Sequence, residues 1–246
     1  MDSRLRGNDG YMKLALVTGS SSGIGHAVAK RLLADGWRVQ GWDRDAAQIA
    51  HANFESVAID LMDTSALSAL LQATAGGALN SEQTYDLAFI HAAGQMYTGS
   101  LADLKVADGA AMWRLHVGVA TQIAQALTPS MQAAKHGRIV MLGSRVANGM
   151  ALRSQYAAAK AALIALSRSW AAELAPHGIT VNVVSPAATQ TAMLADPSRT
   201  SSAPKLPPIG RYIEPSEVAS LIAYLLSPEA AAITGQNLQI CGGSSL

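Results

Sequence analysis

A short apolar run that breaks into a glycine-spaced turn and reopens at once as an amphipathic stretch is the tightest constraint on this chain. Lys13-Leu-Ala-Leu-Val-Thr18 reads as a strand, Gly19-Ser-Ser-Ser-Gly23-Ile-Gly25 as a turn, and 24–34 as a helix with one apolar face, stopped at Gly36. The alternation then recurs, with strands expected at 37–43, 56–60, 85–91, 137–143, 179–184 and 236–241 and helical segments between them. Strands separated by helices imply β–α–β units and a mostly parallel sheet covered on both faces. No shift in composition marks a second domain. Residues 12–246 are therefore expected to form one α/β domain, a doubly wound, mostly parallel seven-stranded sheet flanked by helices. Residues 1–11 are polar and without periodicity, so they read as a disordered extension, and Met12 would serve equally well as the start of the folded part. The one long irregular stretch, from Ala187 to about Tyr212, is rich in Pro, Ser and Thr. Its part at 189–209 is expected to be a functional lid.

Composition narrows the function classes. Only 14% of the residues are charged, against about 25% in a typical domain. A surface so sparing in charge suggests that much of it is covered by self-association. The net charge of +1 comes with no basic cluster, so no nucleic-acid partner is expected. No apolar run reaches the ~18 residues of a membrane span, and no membrane partner is expected. The single cysteine, Cys241, excludes an internal disulfide, fits a reducing, cytoplasmic setting, and reads as a small buried thiol. No metal is expected.

The glycine turn points to a nucleotide. Glycines between a strand and a helix let the backbone bend sharply and let a pyrophosphate approach the helix N-terminus, where free N–H groups and the helix dipole attract anions. Asp43, 18 residues after Gly25 at the end of the second expected strand, could accept hydrogen bonds from both adenosine ribose hydroxyls and would repel a 2′-phosphate. That favours NAD over NADP. Arg44, the next residue, could instead hold such a phosphate. Asp60, at the end of another expected strand, could touch the adenine or cap the following helix.

The chemistry points to Tyr156 and Lys160, four residues apart in Ser154-Gln-Tyr-Ala-Ala-Ala-Lys160, with Ser144 twelve residues before the tyrosine. On a helix this spacing brings both side chains onto one face, about 6 Å apart along the axis. An ammonium beside a phenol favours the phenolate, which is what a neutral-pH proton donor or acceptor needs. Taken alone, such a pair could equally be two residues that share a surface.

With Gly19-x-x-x-Gly23-x-Gly25, Ser144 and Tyr156-x-x-x-Lys160 in this order, the chain resembles the short-chain dehydrogenase/reductase family, of the kind labelled 3-oxoacyl-carrier-protein reductase-like. The resemblance runs from about residue 13 to the C-terminus and includes Asn182-Val-Val-Ser-Pro186 and Ile233-Thr-Gly-Gln236 through Gly242-Gly243. It implies a Rossmann fold in which Tyr156 is the general acid/base. Ser144 would hydrogen-bond the reacting oxygen, and Lys160 would hold the nicotinamide ribose and favour the tyrosinate. The implied cofactor bed comprises Gly19, Ser21, Ser22, Gly23, Ile24, Asp43, Asp60, Leu61, Ala92, Ala93, Gly94, Tyr156, Lys160, Pro186, Ala187, Thr189 and Thr191.

Three positions depart from the family pattern. His91-Ala-Ala-Gly94 stands where Asn-Asn-Ala-Gly is usual, and a structural role is the expectation for His91. His116 occupies the place of the family's helix-kinking catalytic Asn. Imidazole could stand in for it in a proton relay, or could be a packing replacement. Ala187 replaces the usual Gly after Pro186, which fits if its φ is negative.

The resulting expectation is an NAD(H)-dependent oxidoreductase interconverting a small secondary alcohol and a ketone, assembled as a homotetramer. Two alternatives are an NADPH-dependent 3-oxoacyl thioester reductase and a catalytically silent dinucleotide-binding module. Substrate choice falls to 95–100, 145–153 and the lid. There Met96, Met150, Leu152, Met193 and Leu194 offer a deformable apolar lining, and Arg145 and Arg153 read more readily as solvated than as an anion site. The tetramer expectation rests on the apolar helices around 110–131 and 155–175.

Overall fold

The computed structural model describes residues 12–76, 85–194 and 205–246. The expected N-terminal extension and the middle of the expected lid, 195–204, lie outside the described residues. In chain order the elements are β1 (Met12–Thr18), α1 (Gly23–Ala34), β2 (Arg38–Asp43), β3 (Phe54–Ala58), α2 (Thr64–Gly76), β4 (Tyr85–His91) and α3 (Val106–Trp113). A π-helical turn (Arg114–Gly118) joins α3 to α4 (Val119–Ala134), followed by β5 (Gly137–Leu142), a 3-10 turn (Arg145–Asn148), α5 (Ser154–Leu174), β6 (Ile179–Pro186), α6 (Pro215–Leu226) and β7 (Asn237–Ile240).

Among the described residues the strands form one seven-stranded sheet in the order β3-β2-β1-β4-β5-β6-β7. Every pairing is parallel. Alternate side chains along a strand face opposite ways, and the core splits accordingly. Leu16, Phe89, Ile139, Met141, Val181 and Val183 meet Leu67, Ile123, Leu127 and Leu163 of α2, α4 and α5 on one face. Their neighbours Val17, Ala88, Ile90, Val140 and Val184 meet Val28, Leu32, Val218 and Ile222 of α1 and α6 on the other. Burying each such Leu, Ile or Val side chain stabilises the fold by about 1.5–3 kcal/mol. The central strands are apolar throughout because both of their faces are covered, whereas edge strands β3 and β7 are only partly buried.

The chain winds outward from β1 to β3 and then restarts beside β1 at β4, so a crevice opens beyond the carboxyl ends of these two strands. The two ends are tied together. The Thr18 hydroxyl lies 2.9 Å from His91 Nδ1 and accepts the Ala92 and Ala93 N–H groups at 3.1 and 3.2 Å. His91 Nε2 lies 3.1 Å from the Leu115 carbonyl, which can only accept, so Nε2 carries the proton and Nδ1 accepts from Thr18. Burial, then the Lys160 charge, lowers the His91 pKa to about 3, so this fully buried histidine is a neutral structural strut, as expected.

Some boundaries differ from the sequence reading. The third strand lies at Phe54–Ala58, two residues earlier than expected, because its register is set by pairing with β2, Val39 against Phe54. Trp37 precedes β2 and is buried beneath α1. The helix expected around 110–131 runs from Val106 to Ala134 with the π turn inside it. Cys241 is half-buried rather than fully buried. Among the described residues no helix is long and apolar enough to cross a membrane.

Candidate active site

The crevice divides into two adjoining cavities that share Ile24, Ala92, Gly94, Thr191 and Met193. The smaller, of about 300 Å³, lies over the glycine turn. Gly19 has φ +72°, and a Cβ there would sit 2.7 Å from the Ala93 backbone; a Cβ on Gly25 would collide with the Gly19 carbonyl. Only glycine lets the turn, the start of α1 and the Ala92–Ala93 backbone approach so closely. Ser22 caps α1 in an extended conformation without a side-chain hydrogen bond to the helix, so its hydroxyl does not compete for the first N–H groups of α1. At the end of β2, Asp43 Oδ2 accepts the Ser21 N–H at 3.0 Å and the Ser21 hydroxyl at 2.7 Å. Arg44 is turned toward Asp45 at 3.7 Å, both side chains being highly exposed.

A cradle of unblocked N–H groups with a carboxylate beyond it fits a dinucleotide: pyrophosphate at the α1 N-terminus, ribose diol at Asp43. Gly19, Ser21, Ser22, Gly23, Ile24, Asp43, Asp60, Leu61, Ala92, Ala93 and Gly94 all line this cavity. Asp60 turns its Oδ1 to the Met62 N–H, while Asp63 caps α2 through the Ser65 and Ala66 N–H groups. The helix-capping alternative raised for Asp60 therefore belongs to Asp63.

The larger cavity, of about 700 Å³, is lined by Ser144, Tyr156, Lys160 and His116, and by Pro186, Ala187, Thr189 and Thr191. Tyr156 and Lys160 occupy successive turns of α5 and are both buried, with Lys160 Nζ 5.7 Å from the tyrosine ring centroid. Nζ also donates to the Leu142 carbonyl at 2.6 Å, which fixes the start of α5 against the end of β5. Removal from water lowers the Lys160 pKa from 10.5 to about 7, so its charge switches near neutrality. Ser144 caps the 3-10 turn and its Oγ accepts the Val146 N–H at 3.2 Å, which leaves the hydroxyl hydrogen to donate into the cavity.

His116 sits in the π turn, whose i→i+5 bonding accommodates an additional residue. Its ring meets Tyr156 edge-on, 5.6 Å between centroids at 81°. Nε2 lies 2.8 Å from the Gln95 carbonyl and must therefore carry the proton, while Nδ1 is a buried acceptor with no hydrogen-bond partner among the described residues. Burial, and after it the Lys160 charge, hold its pKa well below the ordinary 6.5. The ring is thus held neutral, with Nε2 as donor and Nδ1 as acceptor. Ala187 is not among the described residues with positive φ, and its N–H bonds the Ile240 carbonyl at 3.1 Å, so its methyl is accommodated. Arg145 and Arg153 both line the cavity, and Arg153, expected to be solvated, is only 8% exposed. The sequence reading missed Leu142 and Leu115, which act through backbone carbonyls that no side-chain pattern announces, and Met62, which lines the smaller cavity. Among the described residues no group of three or more His, Cys, Asp or Glu side chains could hold a metal ion.

Comparison with known proteins agrees with this geometry. The family described as Enoyl-(Acyl carrier protein) reductase matches residues 19–245. A solved short-chain dehydrogenase/reductase family protein superposes with a TM-score of 0.84 at 33% identity, over 98% of this chain and 99% of that one. The chain belongs to the short-chain dehydrogenase/reductase family. Among short-chain dehydrogenase/reductase relatives, 3-oxoacyl-[acyl-carrier-protein] reductase FabG of Vibrio cholerae is 34% identical over 241 residues, covering 94% of this chain and 96% of that protein. The (2S)-[(R)-hydroxy(phenyl)methyl]succinyl-CoA dehydrogenase subunit BbsD of Thauera aromatica is 30% identical over 246 residues, covering 95% and 97%. This short-chain dehydrogenase/reductase is accordingly an oxidoreductase acting on a carbonyl or alcohol group.

Proposed function

We propose that the chain is an NAD(H)-dependent dehydrogenase/reductase that interconverts a secondary alcohol and a ketone, working in the cytoplasm as a homotetramer. The observation that carries this reading is the meeting of Ser144, Tyr156 and Lys160 in a cavity continuous with one that ends at Asp43. When bound, the nicotinamide would supply or accept the hydride. The chain's own residues handle the proton. Tyr156 gives its hydroxyl proton to the carbonyl oxygen in reduction, or takes it from the alcohol in oxidation, while Ser144 donates a hydrogen bond to that oxygen. Lys160, when protonated, favours the phenolate left on Tyr156. His116 holds the Tyr156 ring edge-on and offers Nδ1 as an acceptor beside the relay.

The preference for NAD follows from Asp43, whose carboxylate Ser21 orients into the smaller cavity, and from Arg44 being directed to Asp45. Self-association is supported by apolar surface left outward on the helices: Val106 is 78% and Trp113 51% exposed on α3, and Ala158 and Ala165 lie outward on α5. Purified protein should turn over members of a panel of secondary alcohols and ketones faster with NAD(H) than with NADP(H), and Tyr156→Phe should abolish that turnover while keeping NADH binding. Tight NADH binding with no turnover across the panel would instead identify a silent dinucleotide-binding module. A monomeric mass in solution at micromolar concentration would refute the tetramer.

A further inference from the structure

Among the described residues, the charged side chains that line the larger cavity are all of one sign. Arg145 follows Ser144 directly and opens the 3-10 turn, while Arg153 precedes α5, three residues before Tyr156. The two guanidinium groups thus lie along the chain between Ser144 and Tyr156, and both line the same cavity. Lys205 and Lys160 add a third and a fourth basic side chain to the lining. Among the described lining residues there is no aspartate or glutamate. Arg153 is also largely buried.

We infer that this site selects substrates that carry a carboxylate, with Arg145 and Arg153 as the specificity-determining residues. The inference deepens the alcohol–ketone reading above and rests on it. A planar carboxylate matches the guanidinium fork with two equivalent acceptor oxygens and a full opposite charge, which a neutral ester or amide lacks. Because Arg145 is covalently next to Ser144, an acid group within its reach lies only a few bonds from the oxygen that Ser144 contacts. The rest of the wall, with Met96, Met150, Met193 and Leu206, is apolar and deformable, suited to a short alkyl tail. The substrate class is therefore a short-chain hydroxy acid or oxo acid, with the acid close to the reacting carbon.

The first test is calorimetric binding of hexanoate and of hexanamide to the NADH-loaded wild-type protein. Hexanoate should bind about tenfold or more tightly than hexanamide, the advantage of a bond to a charged group over a neutral one. That ratio should fall to about threefold or less in Arg145→Met or Arg153→Met, and Arg145→Lys should recover part of it. Two variants at separate sites guard against one of them failing to fold. Equal or tighter binding of the amide, no binding of either probe, or a preference that survives both substitutions would overturn the inference. The second test compares oxidation of 3-hydroxyhexanoate with that of its methyl ester, where the acid should have the higher kcat/KM. An ester turned over as well as the acid would sink the carboxylate inference alone and leave the oxidoreductase reading intact. Hexanoate binding without turnover of any alcohol or ketone, with either dinucleotide, would sink the oxidoreductase reading instead.

Discussion

Replacing Lys160 with methionine should stabilise the ligand-free protein below neutrality and remove much of its pH dependence above it. Lys160 is only 4% exposed, and leaving water lowers its pKa from 10.5 to about 7. Each pH unit of that drop is worth about 1.4 kcal/mol, so the protonated amine makes the folded state roughly 5 kcal/mol less stable than a lysine in water would. The sign follows from proton counting. Between pH 7 and 10.5 the unfolded chain holds a proton at this site that the folded chain has lost, so the contribution of Lys160 to stability rises with pH across that window and is flat below it. Methionine keeps the apolar stem but leaves the Leu142 carbonyl without its donor, a loss of about 1–3 kcal/mol. The net gain for Lys160→Met at pH 6 is then about 2–4 kcal/mol, shrinking to zero or reversing near pH 10. Urea unfolding of both proteins at one fixed protein concentration, from pH 6 to pH 10, measures this directly, because other titrating groups cancel in the difference. A wild-type-minus-variant difference that stays flat from pH 7 to 10, or a variant less stable at pH 6, would refute the reasoning.

Gly19→Ala should weaken NADH binding at least tenfold in a fluorescence titration, because the new methyl would sit 2.7 Å from the Ala93 backbone at φ +72°; unchanged affinity would mean that the turn is not the phosphate bed. Asp43→Ser should raise the ratio of NADPH to NADH affinity at least tenfold, and an unmoved ratio would show that this carboxylate does not discriminate. His116→Asn should leave the neutral limb of the pH–rate profile in place, because burial keeps the wild-type imidazole uncharged; a limb that moves by a full pH unit would make His116 a proton carrier. Thr18→Val, nearly isosteric, should cost about 2–4 kcal/mol in chemical denaturation, because His91 Nδ1 and two backbone N–H groups lose their partner. A loss under 1 kcal/mol would show that these groups find other partners.

The fold was legible because its signals are local and repeated: apolar runs of strand length, a glycine turn and helical faces between them. Gly19, Gly25, Asp43, Tyr156 and Lys160 could be assigned to two adjoining cavities because a topology of alternating strands and helices brings strand ends and loop starts to one rim. What stayed hidden depends on partners distant in sequence. β3 took its register from β2, so the apolar pattern misplaced it by two residues. The tautomers of His91 and His116 are set by the carbonyls of Leu115 and Gln95, 24 and 21 residues away. Arg153 looked like any polar residue before a helix, and only the packed structure puts it against the cavity wall. The π turn carries no proline to announce it.

That widened turn gives a long rod two separately aimed faces. An α-helix advances about 100° per residue, so one surplus residue at Arg114–Gly118 offsets everything upstream by about that angle relative to everything downstream. The imidazole end can stay pointed at the phenol while the segment carrying Val106 and Trp113 drifts in composition to suit its neighbours. Deleting a single residue there would turn one face against the other by about the same angle, so the imidazole could keep its place against the phenol only by swinging Val106 and Trp113 to a new bearing.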